Sequence, residues 1–186
     1  MGQYIEKQHG HWQLTGGLRE LLLECRGNDN TRYALTAVYV ADNVLAATDG
    51  RRLVEIQYKH KITRGNYFCT TDGFLLPFVD DERFPDYKKI IPAKDKLRAI
   101  VQVDETTGEN VVGLILGELC HAGCIIALTL YEKVADVLSE NIDGAVTVFV
   151  SKEHTGDHPF VIEADTKFGH LRYIQMPINV KNEVQA

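Results

Sequence analysis

Two tight-turn signals, Asp42-Asn43 and Asp49-Gly50, constrain this chain more than any other feature. They cut one apolar stretch into three pieces, 33–40, 44–47 and 52–58. Aspartate, asparagine and glycine tolerate the left-handed backbone that short hairpin turns require. The pieces between them are rich in Val, Leu, Tyr and Ile, which favour strands. Consecutive antiparallel strands follow from this pattern, and 67–70 reads as one more.

Upstream, Leu18, Leu21, Leu22 and Cys25 fall at i, i+3, i+4 and i+7, the spacing of a short amphipathic helix over 18–25. Thr15 is a candidate N-cap, and Gly27 a candidate stop. The stretch 77–96 has another texture. Pro77, Pro85 and Pro92 sit among many charges, which predicts an extended connector. Beyond it the theme repeats. Segments 99–103, 111–116 and 124–128 read as strands. Segment 130–140 reads as a helix with Leu130, Val134, Val137 and Leu138 on one face. Segments 145–150, 160–164 and 171–174 read as strands again. The prediction is an α+β fold with pseudo-twofold symmetry, two helices packed on one side of antiparallel sheets. Its two halves, about 10–76 and 97–181, would be joined by the connector 77–96.

The chain of 186 residues is 45% hydrophobic and 25% charged, as expected of a folded domain. No apolar run approaches the roughly 20 residues a membrane span needs. The first ten residues carry Glu6, Lys7 and His9 and do not read as a signal peptide. A cytoplasmic location is expected, with no membrane partner. Cys25, Cys69, Cys120 and Cys124 then read as reduced thiols. Cys120 and Cys124 lie among Leu119, Ile125 and Ile126, so buried structural thiols are expected rather than a zinc pair. His154 and His158 are separated by Gly156, with Pro159 next, and read as a polar loop. No nucleophile elbow, P-loop, zincin or dinucleotide fingerprint is present. The run Asp80-Asp81-Glu82 reads as solvated, because neighbours on an extended chain point to opposite sides. No enzyme, cofactor or metal is expected.

Three segments carry a family resemblance. Ala47-Thr48-Asp49-Gly50-Arg51-Arg52-Leu53 resembles the A-T-D-G-[HR]-R-L signature in the middle domain of bacterial sliding clamps, the beta subunit of DNA polymerase III. Arg83-Phe84-Pro85-Asp86-Tyr87-Lys88-Lys89-Ile90-Ile91-Pro92 is similar to their R-F-P-D-Y-x-x-[VI]-[LI]-P segment. Tyr173-Ile174-Gln175-Met176-Pro177-Ile178 is similar to the Y-x-x-M-P-[MI] at their C-terminus. The three stand in family order. The chain is long enough for one such domain with insertions, not for the family's three.

The resemblance implies a clamp-like processivity or scaffold protein of DNA replication or repair. In the family these segments meet at the apolar pocket that takes short peptide motifs of polymerases and other partners. Carried over, Thr48, Gly50, Arg52 and Leu53 form one wall, and Pro85 and Ile90 a second. Ile174, Met176, Pro177 and Ile178 form the third. Arg52 would rim the groove, and Phe84 and Tyr87 would at least staple the connector to a sheet. A homo-oligomeric ring around duplex DNA is the family arrangement. The alternative is a stand-alone peptide-binding module that never encircles DNA. The net charge of −6 and the acids of both helices predict weak, salt-dependent duplex binding or none.

Overall fold

A computed structural model of the chain describes residues 4–28, 33–78, 84–153 and 158–177. In chain order the strands are β1 (Ile5–Gln8), β2 (His11–Leu14), β3 (Val38–Ala41), β4 (Val44–Thr48), β5 (Arg52–Gln57), β6 (Gly65–Cys69), β7 (Phe74–Pro77), β8 (Leu97–Thr107), β9 (Ile142–Ser151), β10 (Phe160–Thr166) and β11 (Gly169–Gln175). The helices are α1 (Gly16–Cys25), α2 (Gly108–His121) and α3 (Leu128–Asn141). Short 3-10 turns occupy Tyr33–Thr36, Tyr87–Lys89 and Lys94–Lys96. The strands form one continuous sheet in the order β1-β2-β7-β6-β3-β4-β5-β11-β10-β9-β8.

The turn residues build the middle of this sheet as the sequence predicts. Asn43 turns β3 into β4 with φ +62°. Gly50 takes φ +86° between β4 and β5, a conformation that costs glycine nothing. Beside it, Asp49 Oδ1 accepts the amides of Arg51 and Arg52, both at 2.8 Å. Every neighbouring pair of strands is antiparallel.

The strand order carries the pseudo-twofold. At its centre β5 pairs with β11, with Val54 opposite Tyr173. Moving outward, β4 and β3 answer β10 and β9. Helix α1 leads into β3 as α3 leads into β9. Strands β2 and β8 answer each other too, except that hairpin β6–β7 is inserted between β3 and β2. Alternation along each strand then sorts side chains to two faces. Val54 and Ile56 join the large core beneath the helices, with Leu18, Leu22, Val134 and Leu138. Leu53, Ala46, Val161 and Ile174 join a second cluster on the opposite face, where Tyr87 from the connector and Leu97 cover them.

Several expectations need correction. Segment 111–116 is helix, not strand: it lies inside α2. Segment 124–128 is also not a strand; 124–127 is the loop leading into α3, and Leu128 is that helix's first residue. Helix α2 buries Val111, Ile115 and Leu119 at i, i+4 and i+8. Its remaining residues are so apolar that the helical period is hidden. The helices therefore number three rather than two among the described residues. The stretch 33–40 is a 3-10 turn followed by β3, and β1, β2 and β7 were not foreseen. Thr15 does take the N-cap position of α1; Arg26 is the C-cap, and the amide of the following Gly27 bonds to Leu35 O at 2.7 Å. Cys25 and Cys69 are buried as expected, but Cys120 is exposed on α2 and Cys124 half-buried. His158 is exposed. His154, Gly156 and the run Asp80-Asp81-Glu82 lie outside the described residues.

The helical placement of α2 gives a direct test. Ile115→Ala, a buried position, is expected to cost about 2–5 kcal/mol in denaturant unfolding. Leu114→Ala, at an exposed neighbour, is expected to stay within about 0.5 kcal/mol of wild type.

Candidate functional site

The first and third resemblance segments lie side by side because β5 and β11 are paired. Leu53 faces Ile174 and Arg52 faces Gln175 in the register. Just beyond the ladder, the Met176 amide donates to Arg51 O at 2.8 Å. The second segment joins them through its aromatic residues. Tyr87 is 3% exposed and packs in the cluster with Leu53 and Ile174; Phe84 and Ile91 pack against the same cluster. Phe84 stacks on Tyr39 with centroids 5.1 Å apart, and both meet Tyr87 edge-on.

The candidate residues take different places around this junction. Leu53 and Ile174 are each 1% exposed and form its floor. Thr48 is buried in the hairpin, where its Oγ1 donates to Arg52 O at 2.6 Å and accepts the Gly50 amide at 3.1 Å. Gly50 and Pro85 are exposed, and Pro177 is half-buried. Ile90 and Met176 keep 46% and 39% of their surface in water. Ile178 and Arg83 lie outside the described residues.

Arg52 does not rim a groove. It turns to the helix face, where its side chain is 5% exposed. Its Nε donates to Asp49 Oδ2 at 2.9 Å. Its Nη1 donates to Leu130 O at 3.0 Å, and its Nη2 to Glu24 O at 2.6 Å and Glu24 Oε1 at 2.9 Å. Burial alone would lower the guanidinium pKa, but these carboxylate bonds outweigh it, and its pKa is raised. Strand parity decides the matter: Leu53 faces the connector, so Arg52 must face the helices. The side chain ties the β4–β5 hairpin to the end of α1 and the start of α3.

An ionic network fixes the connector to the sheet on the other face. Arg172 donates through Nη1 to Glu55 Oε2 at 3.0 Å and through Nη2 to Glu163 Oε1 at 2.7 Å. Tyr87 Oη donates to Glu55 Oε1 at 3.2 Å. Lys94 Nζ reaches Glu163 Oε2 at 3.5 Å. Burial, and then the Glu55 charge, push the Tyr87 hydroxyl pKa well up, so it stays a donor. Burial raises Glu163, but the bonds and charges of Arg172 and Lys94 hold its carboxyl below the ordinary value of 4.5. Sequence reasoning missed Tyr39, Glu55, Glu163 and Arg172; alternation along β5 and β11 is the signal that places Glu55 and Arg172 on the face of Leu53 and Ile174.

Two other features bear on function. A hollow of about 930 Å³ lies at the far end of β5 and β11, lined among others by Tyr58, Lys59, His60, Phe168 and His170. It is remote in register from Leu53 and Ile174. The three helices share one face, and they carry seven carboxylates (Glu20, Glu24, Glu109, Glu118, Glu132, Asp136, Glu140) against Arg19 and Lys133. Among the described residues, no group of three or more His, Cys, Asp or Glu could hold a metal ion. No described helix is long and apolar enough to cross a membrane.

A pseudo-symmetric antiparallel sheet with its helices on one face defines the class: this is the DNA-clamp fold. The solved structures it resembles are bacterial sliding clamps. The Bacillus subtilis DNA polymerase sliding clamp matches with a TM-score of 0.52 at 15% identity, covering 97% of this chain and 66% of that one. The DNA polymerase III beta chain from Streptococcus pneumoniae matches at 0.53 and 9% identity, covering 88% and 62%. A putative DNA polymerase III beta subunit from Eubacterium rectale matches at 0.53 and 8% identity, covering 97% and 68%. The chain thus spans about two thirds of the length of these clamps. No family model and no curated protein matches the sequence. At these identities the likeness establishes the fold.

Two predictions follow from the two faces. Arg52→Ala is expected to destabilise the fold by about 3 kcal/mol, because it removes the buried bonds that tie Asp49, Glu24 and two carbonyls together; denaturant unfolding measures it. For Glu163 the folded carboxyl is the stronger acid. Its contribution is therefore present above pH 4.5 and lost as pH falls through the lower folded value. The stability gap between wild type and Glu163→Gln is expected to be full at pH 7 and to close below pH 4.5.

Proposed function

We propose that this chain is a non-enzymatic docking protein of DNA replication or repair, built as one clamp-like unit whose two halves are joined by the connector. Short peptide motifs of partner proteins, polymerases among them, bind on the connector face. The observation that carries this reading is the meeting of three segments distant in sequence at Leu53, Tyr87 and Ile174. Aliphatic side chains stay exposed at the margins, Ile90 beside Ile91 and Met176 two positions beyond Ile174. A docking groove needs an apolar floor and open, adaptable edges. Thr48, Gly50, Arg52 and Leu53 contribute the hairpin side, with Arg52 holding the hairpin from behind. Pro85 and Ile90 contribute the connector side, and Ile174, Met176, Pro177 and Ile178 the strand side. The site needs no cofactor, and a cytoplasmic location fits it.

The acidic helix layer favours a second reading for DNA. A clamp ring presents its helices to the duplex, and seven carboxylates against two cations repel phosphates rather than exchange for their counterions. The chain then docks peptides without encircling DNA. Light scattering separates the two: a closed ring of several subunits supports the clamp, and a monomer at rising concentration supports the module.

The docking claim is tested by titrating a fluorescent peptide with leucine and phenylalanine anchors. Saturable binding is expected, weakened by about 1–3 kcal/mol in Met176→Ala, the scale of losing one apolar anchor contact. Absence of saturable binding to wild type refutes the reading.

A further inference from the structure

Helix α2 presents an apolar face with nothing over it among the described residues. At 100° per residue, Val111, Ile115 and Leu119 point into the core, where they are buried. Gly113 and Gly117 then point directly away, and a Cβ built on either meets no atom within 4 Å. Leu114 and Leu116 stand on either side of this glycine pair. Leu114 is 45% exposed and Leu116 half-buried. The result is a shallow furrow with a bare backbone floor and leucine walls. Neighbouring α3 packs beside α2. Tyr131 Oη donates to Val112 O at 3.3 Å, and Leu128, one turn earlier, is 49% exposed. Glycines four apart let a second helix approach closely, and aliphatic walls supply the apolar contact such an approach needs.

Charge selects the occupant. Helix α2 contains no Lys or Arg and carries Glu109 and Glu118. The three helices hold seven carboxylates against Arg19 and Lys133; with Arg52, bonded to Glu24, and Arg98, beside Glu118, the layer is still net acidic. A second copy would bring an identical acidic layer against the first, and duplex DNA or an anionic lipid surface would be repelled as well. A helix with basic flanks is attracted. We propose that the α2 face is a docking surface for a basic amphipathic helix of a partner protein, seated on Gly113 and Gly117 between Leu114 and Leu116. This surface is on the opposite side of the sheet from the connector face and stands independently of the peptide reading there.

The test uses the full chain and a fluorescein-labelled Leu/Ala/Lys model peptide of about 18 residues, with one apolar and one lysine face, long enough to span α2. Saturable binding is expected, weakening as salt rises. Leu114→Gln and Gly117→Gln are each expected to weaken it about tenfold without lowering the thermal midpoint of the chain, which Gly117→Gln, a better helix former, raises. Met176→Ala leaves it unchanged, so failure here and failure at the connector face are distinguishable. Bound peptide is also expected to protect the exposed Cys120 thiol, one turn from Gly117 on the same face, from alkylation. The proposal is overturned if the lysine peptide fails to saturate, or if a glutamate-faced version binds as well. It is also overturned if both variants bind like wild type, or if oxidation links Cys120 between two copies in a dimer that Leu114→Gln dissolves. That last outcome would make the face a self-association surface.

Discussion

The antiparallel pairing of β5 with β11 is the interaction on which everything else in this chain rests. It is the place in the sheet where the two halves join, through five register pairs from Leu171–Ile56 to Gln175–Arg52. Both strands are covered on both faces, so Leu53, Val54, Ile56, Leu171, Tyr173 and Ile174 are all buried. A one-residue slip would turn Leu53 toward the helices and Arg52 toward the connector. The fold blocks that slip at the hairpin end. Arg52 is bonded to two carboxylates and two carbonyls on the helix side, and a guanidinium that well satisfied is costly to move. Register and the placement of both faces are thus set by one strand pair and one side chain.

What the sequence made legible tracks how local each cause is. Strands β3, β4 and β5 were readable because Asn43 and Gly50 announce their turns. Helices α1 and α3 were readable because their polar faces are polar. Helix α2 was not, since Val112 and Leu116 on its flanks and Leu114 on its outer side mask the period of Val111, Ile115 and Leu119. Strands β1, β2 and β7 have four residues each, too few to show alternation, and Pro77 made the end of β7 look like connector. At the candidate site, the adjacency of the hairpin and the last strand came from family resemblance and not from periodicity. The role of Arg52 was invisible for a physical reason: its partners Glu24 and Leu130 stand 28 and 78 positions away. Tyr87 was legible as a staple, and the structure makes it one.

The connector is a strap rather than a linker. Its prolines and charges suggested an extended tether, yet Tyr87 is buried in the core and its hydroxyl enters the Glu55–Arg172–Glu163 network. Hydrophobic contact with Leu53 and Ile174 supplies the attraction, and the directed bonds supply the position. For the proposed docking, a floor built this way is organised before any partner arrives, which lowers the ordering cost of binding.

The same sheet keeps two electrostatic surfaces apart. Residues 84–98 carry Lys88, Lys89, Lys94, Lys96 and Arg98 against Asp86 and Asp95, while the helix layer across the sheet is strongly acidic. Lys94 is committed to Glu163 and Lys89 to Asp86, which leaves Lys88 and Lys96 on the connector; Arg98, opposite Val150, turns to the helix side and lines a hollow with Glu118 and His121. Glu55, Glu163, Asp86 and Asp95 nearly balance the cations of the connector face, so the two faces differ in that the helix face alone is strongly charged.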